Sequence, residues 1–380
     1  MSADMRGRVA IVGIGATAQG ELPGRTADDI SIEALRLALA DAGLAKDQLD
    51  GLITGRSYGG GGIDTTVGRL AGLNPRYSAT LDYGTCNFSL HLAAMAITSG
   101  LASTVALTYG TNQRTAGHRF AATAGDSGGP HEPYGFFNIA GPAAMAFRRH
   151  AHLYGTTEEQ LGHIAVTARE YAALNPAAVF RSPLSIEDYL AKPYLVEPLR
   201  RPDLCMISDG GVSLIVTSAQ RARELRPDPV YLLGMAQTTG LRQFENDDNL
   251  MRPWIRDLAT TVYDRAGLDR ADVDVLFLQD PTSVWVLQML EWFGFCGVGE
   301  AGPFVAAGNL RLDGTIPTNT NGGQLSESYM WGWLHLVEAV RQLRGEAGPR
   351  QVAGARFAQY ASTKGFEKAA CSVIGTEVPA

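Results

Sequence analysis

In "DYGTCNFSLHLAAMAITSG" (82–100) a single thiol, Cys86, stands at the entrance of a small-residue-rich helical pattern. Open backbone N–H groups and the dipole at a helix start lower a thiol's pKa and hold an oxyanion, which suits Cys86 to acyl chemistry. A free cysteine among apolar neighbours is equally a packing residue, and the sequence leaves both readings open. Far along the chain, "PTNTNGGQLSESYMWG" (317–332) sets Asn319, Asn321 and the pair Gly322-Gly323 ahead of Tyr329. Amides and permissive backbone there can cradle an oxyanion or a thioester, with Ser326 or Ser328 at the helix-entry end. The Tyr329 phenol can serve as acid, base or hydrogen-bond donor. A capped loop and a buried ring with a satisfied hydroxyl are the structural alternatives.

Other candidates carry less. Gly13-x-Gly15 in "IVGIGATAQG" follows a strand as a dinucleotide-binding turn does, but Ala18 holds the third glycine position and Pro23-Gly24 interrupts the expected helix. A strand-end loop is the expectation. Cys86, Cys205, Cys296 and Cys371 form no CxxC pair and the seven histidines show no HExxH spacing, so neither a metal site nor a disulfide framework is expected. Cys296 in "GFCGVGEAG" reads as packing, and His91 and His335 as core or interface residues. A net charge of −7 without a Lys/Arg run argues against nucleic acid or an anionic membrane as partner. With no leader-like apolar stretch and no run approaching about 18 apolar residues, the expected location is cytoplasmic.

The elements that must position these residues come in two copies. "ALADAGLAKDQLDGLITG" and "VYDRAGLDRADVDVLFLQ" both end a helix at Ala-Gly, and Asp50 follows Gly43-Leu44 at the spacing at which Asp274 follows Gly267-Leu268. Each copy is preceded by a strand-like run, "VAIVGIG" or "VYLLGMA", and followed by a helix, "HLAAMAITSGL" from His91 or "HLVEAVRQLRG" from His335. Strands alternating with helices in two similar halves predict an α/β fold with two stacked, mostly parallel-core sheets, divided at about 1–225 and 226–380. A segment of about 111–205 has no counterpart and is expected to form a loop or lid insertion over the first half. Aligning His91 with His335 sets Thr85-Cys86 against Tyr329-Met330, so a pseudo-twofold would bring Cys86 and Tyr329 toward one pocket.

The doubled units, "HLYGTTEEQL", "SDGGVSLIVTSAQRARELR", "FGFCGVGEAGPFV" and "NTNGGQLSESYMWG" together resemble the thiolase superfamily, and more closely its lipid-transfer-protein or sterol-carrier-type branch. The resemblance implies a duplicated five-layered αβαβα fold, a dimeric core, and C–C bond chemistry beside an acyl-CoA thioester. Coenzyme A would enter as the substrate's thioester, with no covalently bound cofactor. Tyr329 stands where a thiolase has its GHP histidine, and "QYASTKG" lacks the second cysteine. Tyrosine there resembles the aldolases that shorten steroid side chains by retro-aldol cleavage of a β-hydroxyacyl-CoA. In those a second tyrosine precedes an aspartate, whereas here Gln279 precedes Asp280. The implied site is therefore Tyr329 with Cys86 as catalytic groups, and Asn319, Gly322, Gly323 and Asp280 around the thioester. Counting back from "SG" without gaps puts the thiolase nucleophile position nearer Tyr83.

Two further readings stand beside the aldolase: a Cys86-dependent thiolase acting on a β-ketoacyl-CoA, and a non-catalytic acyl-CoA or lipid-binding subunit. Relatives of this branch often pair with a small zinc-ribbon/OB-fold protein, so such a partner is expected beside a homodimer core. Phe136, Phe137, Trp285, Trp331 and Trp333 suggest a bulky hydrophobic pocket, or else core and interface.

Overall fold

The computed structural model describes residues 5–57, 60–82, 86–117, 139–240, 254–364 and 368–379. The first part of the chain forms β1 (Val9–Ala16), α1 (Ala27–Ala42), β2 (Gly51–Gly55), α2 (Asp64–Ala71), β3 (Tyr77–Leu81), α3 (Cys86–Thr98) and β4 (Thr104–Asn112). Next come α4 (Ala140–Tyr154), α5 (Glu158–Leu174), α6 (Ile186–Leu190), β5 (Tyr194–Val196) and β6 (Leu199–Arg200), then β7 (Asp209–Ser218) and α7 (Ala219–Leu225). The remainder forms β8 (Val230–Thr239), α8 (Ile255–Ala266), β9 (Val275–Leu278), α9 (Ser283–Trp292), α10 (Ala301–Ala306), α11 (Gly323–Ser326), α12 (Trp333–Arg344), β10 (Phe357–Lys364) and β11 (Lys368–Gly375).

The repeated phrase does the same physical work twice. Gly43 and Gly267 end α1 and α8 in the left-handed region, at φ 65° and 67°. Asp50 then accepts the N–H groups of Ser103 and Thr104, both at 2.8 Å, and fixes the start of β4. Asp274 accepts those of Arg356 (2.7 Å) and Phe357 (2.9 Å) and fixes the start of β10. Gly13 of β1 and Gly234 of β8 also match: a Cβ on either would fall 2.8 Å from Ala42 or 2.9 Å from Ala266, so each glycine lets a helix lie close on its strand. Packing of α1, rather than a phosphate turn, accounts for the glycine of "IVGIG".

The main strands form one nine-stranded sheet, ordered β3-β2-β4-β7-β1-β8-β11-β10-β9. Only β2–β3, β2–β4 and β9–β10 pair in parallel, which corrects the expectation of mostly parallel cores. The two halves are joined rather than merely stacked, through a short antiparallel contact of Ala10 with Tyr231 and Ile11 with Val230. Alternation along the strands supplies two apolar faces. Val9 and Ile11 of β1, Leu107 and Tyr109 of β4, and Phe277 and Tyr360 of the second half share a core with α3 and α12. Ala10, Val12, Leu233 and Leu276 face the other way, into the core that holds α1 and α8. Since α3 and α12 each touch strands of both halves, the layers run helix, half-sheet, central helix pair, half-sheet, helix.

The described part of the insertion backs the loop before Tyr329. Thr157 and Gln160 close a capping box that starts α5, and α5 packs on α9, α10 and α11. At its end Asn175 donates to the Asn321 carbonyl and to Glu327 Oε1, both at 2.9 Å. This stretch therefore acts as a buttress. Residues 118–138, which include Phe136 and Phe137, lie outside the described residues.

Candidate active site

Cys86 is the first residue of α3, as the sequence suggests, and shares the central core with Met330, the neighbour of Tyr329. Its environment reverses the expected chemistry. The thiol is wholly buried, and burial pushes its pKa well above the ordinary thiol value. Desolvation of the thiolate outweighs the helix-start effect. Cys205 and Cys296 are also pushed up, each to about 12, by burial. Tyr83 lies outside the described residues.

Asp280 follows β9 and organises the other side of the site. Its carboxylate accepts the N–H groups of Gln324 (2.9 Å) and Leu325 (3.3 Å) and the Nε2–H of His335 (2.8 Å). A loop, a strand end and α12 thus meet on one buried group, which positions the loop instead of facing solvent. Gly323, at φ 63°, is required there, because a Cβ would collide with the Asp280 carboxylate and lie 2.8 Å from its Cγ. His335, read from sequence as a core residue, is the partner of this carboxylate. Among the described residues its Nδ1 has no hydrogen-bond partner.

The polar groups expected to cradle the thioester are already engaged. The Asn319 side chain accepts from Leu278 N–H and donates to Leu278 O, both at 2.9 Å, which lengthens the edge of β9. Gly322 N–H donates to Asn319 O at 2.8 Å, and Gly323 N–H to Asn321 Oδ1 at 3.2 Å. Asn319, Gly322 and Gly323 thus build the loop, and the single N–H protons of Gly322 and Gly323 are engaged within it. Gln279, in place of the second tyrosine, accepts Thr363 N–H at 2.7 Å and ties β9 to β10.

Tyr329 lies in the irregular link between α11 and α12, 5% exposed, with its ring 5.5 Å from that of Trp331. Glu327, two residues earlier, is wholly buried between Asn175 and Asn321, and burial together with the nearby Glu338 raises its pKa to about 7. Of the aromatic residues read as pocket walls, Trp285 and Trp333 are core: Trp285 donates to Thr363 Oγ1 at 2.9 Å, and Trp333 stacks on Tyr109 at 6.0 Å. Trp331 alone of the described three is partly exposed.

Sequence reasoning missed a network that joins the halves at the Cys86 end. Asn87 Nδ2 shares its two protons among Tyr360 O (3.0 Å), Ser362 Oγ (3.0 Å) and Ala370 O (3.1 Å), and its Oδ1 accepts from Ser372 Oγ (2.7 Å). His91 Nε2 lies 2.9 Å from Ser372 Oγ, and Gln237 Nε2 lies 2.8 Å from His91 Nδ1. Burial lowers the His91 pKa to about 3, so the ring is neutral. The available signal was an asparagine and a histidine four residues apart in an otherwise apolar helix.

A duplicated αβαβα core, with a helix-start cysteine from one half meeting a loop-borne tyrosine region from the other, defines a thiolase-like enzyme. Residues 236–376 match the family described as Thiolase C-terminal domain-like. The chain is 36% identical over 366 residues to the steroid side-chain-cleaving aldolase of Thermomonospora curvata, covering 89% of this chain and 91% of that protein. It is 37% identical over 366 residues to 17-hydroxy-3-oxo-4-pregnene-20-carboxyl-CoA lyase of Mycobacterium tuberculosis, covering 90% and 92%. Among solved structures, the Ltp2-ChsH2(DUF35) aldolase superposes over the full length of both chains with a TM-score of 0.91 at 33% identity. The chain belongs to the thiolase superfamily, in its sterol-carrier-type branch.

Proposed function

We propose that this protein is a C–C lyase that cleaves a bulky β-hydroxyacyl-CoA, of the kind met in steroid side-chain or aromatic degradation, by a retro-aldol step. The hydroxyl proton leaves, the Cα–Cβ bond breaks, and its electron pair passes into the thioester as an enolate. The products are a carbonyl compound and a shortened acyl-CoA. Tyr329 is the group assigned to the hydroxyl proton. The observation that carries this reading over thiolysis is the burial of Cys86, whose thiol is pushed up and has little thiolate to offer as a nucleophile. No covalent acyl-enzyme is needed in a retro-aldol step.

The acyl-CoA substrate follows from the named chemistry of the lyase relative, and coenzyme A enters as the substrate's thioester. A small partner subunit is proposed from the second component named in the aldolase neighbour, ChsH2(DUF35), beside a homodimer core. Division of the chain at 1–225 and 226–380 is likewise proposed, on the matched Asp50 and Asp274 units. Among the described residues no helix is long and apolar enough to cross a membrane.

The test is turnover of a β-hydroxyacyl-CoA by Cys86→Ala and Tyr329→Phe, each with and without the product of an adjacent gene. The expected result is cleavage that survives Cys86→Ala and falls by about 10²–10⁴-fold in Tyr329→Phe. Loss of activity on Cys86→Ala, with β-ketoacyl-CoA thiolysis in the wild type, would establish the thiolase reading instead. No turnover of either substrate would leave a binding subunit.

A further inference from the structure

The Glu327 carboxyl, buried beside the Tyr329 loop, meets two amide donors. Asn321 Nδ2 donates to its Oε2, and Asn175 Nδ2 to its Oε1 at 2.9 Å. Neither amide can turn round without loss, because a backbone N–H already occupies its oxygen. Asn321 Oδ1 accepts from Gly323 (3.2 Å) and Asn175 Oδ1 from Ala177 (3.0 Å). The Asn175 NH₂ is used twice, its second proton going to the Asn321 carbonyl at 2.9 Å. The cluster is therefore matched to a carboxylate, and a carboxylic acid would bring a proton that neither NH₂ can accept. We infer that ionised Glu327 is the positioning residue of the loop that carries Tyr329, joining that loop to the end of α5 only while it bears its charge. The inference rests on the retro-aldol reading, in which Tyr329 takes the hydroxyl proton.

Glu327 directly follows α11 and stands two residues before Tyr329. Through Asn321 its clamp reaches the start of α11, where Gly323 packs on the Asp280 carboxylate. Backbone bonds hold the same stretch to the chain beyond α5: Val179 N–H donates to Glu327 O and Phe180 N–H to Ser326 O, both at 2.9 Å. Arg169 of α5 adds a bond from Nε to Ser326 Oγ at 3.1 Å. A proton on Glu327 forces one of two changes. Either Asn321 turns and releases the Gly323 N–H, or Asn175 turns and releases the Asn321 carbonyl and the Ala177 N–H. In both cases a joint beneath the Tyr329 loop is lost.

The charged groups around Glu327 put that change within reach of neutral pH. Burial and the Glu338 carboxylate of α12 raise its pKa, the bonds from Asn175 and Asn321 and the charge of Arg341 lower it, and the balance lies at about 7. Glu338 has its own cation: Arg350, after α12, reaches its two oxygens from Nε and Nη2 at 3.0 Å each, and Arg341 lies 3.9 Å away. Arg169 is turned to Ser326, and Asp280 to His335, Gln324 and Leu325. Among the described residues no cation is hydrogen-bonded to Glu327, so the two amides alone receive its charge. Because the folded pKa is raised, the carboxylate grows as pH rises through 7, and cleavage should grow with it. The same charge lowers stability, since it is buried without a cation. An ionised Glu327 therefore serves the site at a cost to the fold.

Two readouts on the full-length protein test this over about pH 5.5–8.5: kcat and KM for β-hydroxyacyl-CoA cleavage, and hydrogen exchange of the Gly323 amide corrected for its intrinsic rate. The second needs no turnover. In the wild type, kcat and Gly323 protection should both rise with pH through about 7. Glu327→Gln keeps the size but turns an NH₂ on one of the two asparagines. It should lower kcat at about pH 8 by about 10–10²-fold with little change in KM, and remove the pH step from both readouts. Adding Asn321→Asp sets a carboxylate opposite that NH₂ and still offers an oxygen to Gly323 N–H, so the double variant should recover most of the lost kcat. If Glu327→Gln does not fold, Asn175→Ala removes one of the bonds that favour the carboxylate, and should move the pH step upward. A kcat of Glu327→Gln within about twofold of wild type overturns the inference. So does a step that survives Glu327→Gln, a double variant no better than the single one, or an unmoved step in Asn175→Ala. A wild type that cleaves nothing, yet shows an exchange step that Glu327→Gln removes, refutes the retro-aldol reading and supports the hold of Glu327 on the loop. A wild type that cleaves with the same pH profile as Glu327→Gln refutes the inference alone, and one that neither cleaves nor shows the step overturns both.

Discussion

Adding one methyl group at Gly323 should dislodge the aspartate on which the Tyr329 loop is built. Gly323 sits at φ 63°, and a residue with a Cβ there costs about 1–2 kcal/mol. The new methyl would also displace the Asp280 carboxylate, which holds Gln324, Leu325 and His335. Loss of one hydrogen bond to a charged group costs about 1.5–3 kcal/mol, which brings the total to about 3–5 kcal/mol. At about 2.1 cal/mol/K per residue, unfolding 380 residues carries an entropy of about 0.8 kcal/mol/K, so Tm should fall by about 4–6 °C. Gly345→Ala isolates the strain alone: Gly345 has φ 74° and nothing within 4 Å of a new Cβ, so about 1–3 °C is expected. Calorimetric melts of the two variants, with acyl-CoA cleavage measured alongside, make the comparison. Equal shifts in Tm, or unchanged cleavage by Gly323→Ala, would refute the role given to Asp280.

Asp50→Ala and Asp274→Ala should destabilise by similar amounts, about 1–3 kcal/mol each, because each removes the same pair of backbone contacts; urea unfolding measures both. His91 has a folded pKa of about 3 against an ordinary value of 6.5, so between these values the unfolded chain binds a proton that the folded chain refuses. Its contribution is therefore present above about pH 6.5 and lost as pH falls toward 3, and the urea midpoint should drop across that window less steeply in His91→Gln. Glu327, raised to about 7, acts in the opposite sense, its contribution being present below the ordinary carboxyl pKa and lost as pH rises through 7. At pH 8 iodoacetamide should label the native protein slowly and all four cysteines quickly in denaturant, since burial holds the thiols protonated.

The duplication was legible in the sequence because its markers are local. An αL glycine after a helix and an aspartate before a strand act on neighbouring backbone, so the spacing from Gly43 to Asp50 carried the same meaning as that from Gly267 to Asp274. The helix start at Cys86 was readable for the same reason. Its chemistry was not, because the burial that reverses the thiol's behaviour comes from a core assembled by strands of both halves together with α12. Asn319 and the glycine pair were recognised as unusual, but whether their donors face a ligand or Leu278 depends on the path of the loop. His335 and Asp280 are 55 residues apart in sequence, and Asn87 and Ser372 are 285 apart, so no local spacing announces either pair.

Product analysis after incubating the protein with a β-hydroxyacyl-CoA and no free CoA tests the central claim most directly. A retro-aldol lyase should yield the carbonyl product and the shortened acyl-CoA in equal amounts, at a rate that added CoA does not raise. Products that appear only when free CoA is supplied to a β-ketoacyl-CoA, with acyl label trapped on Cys86, would contradict it.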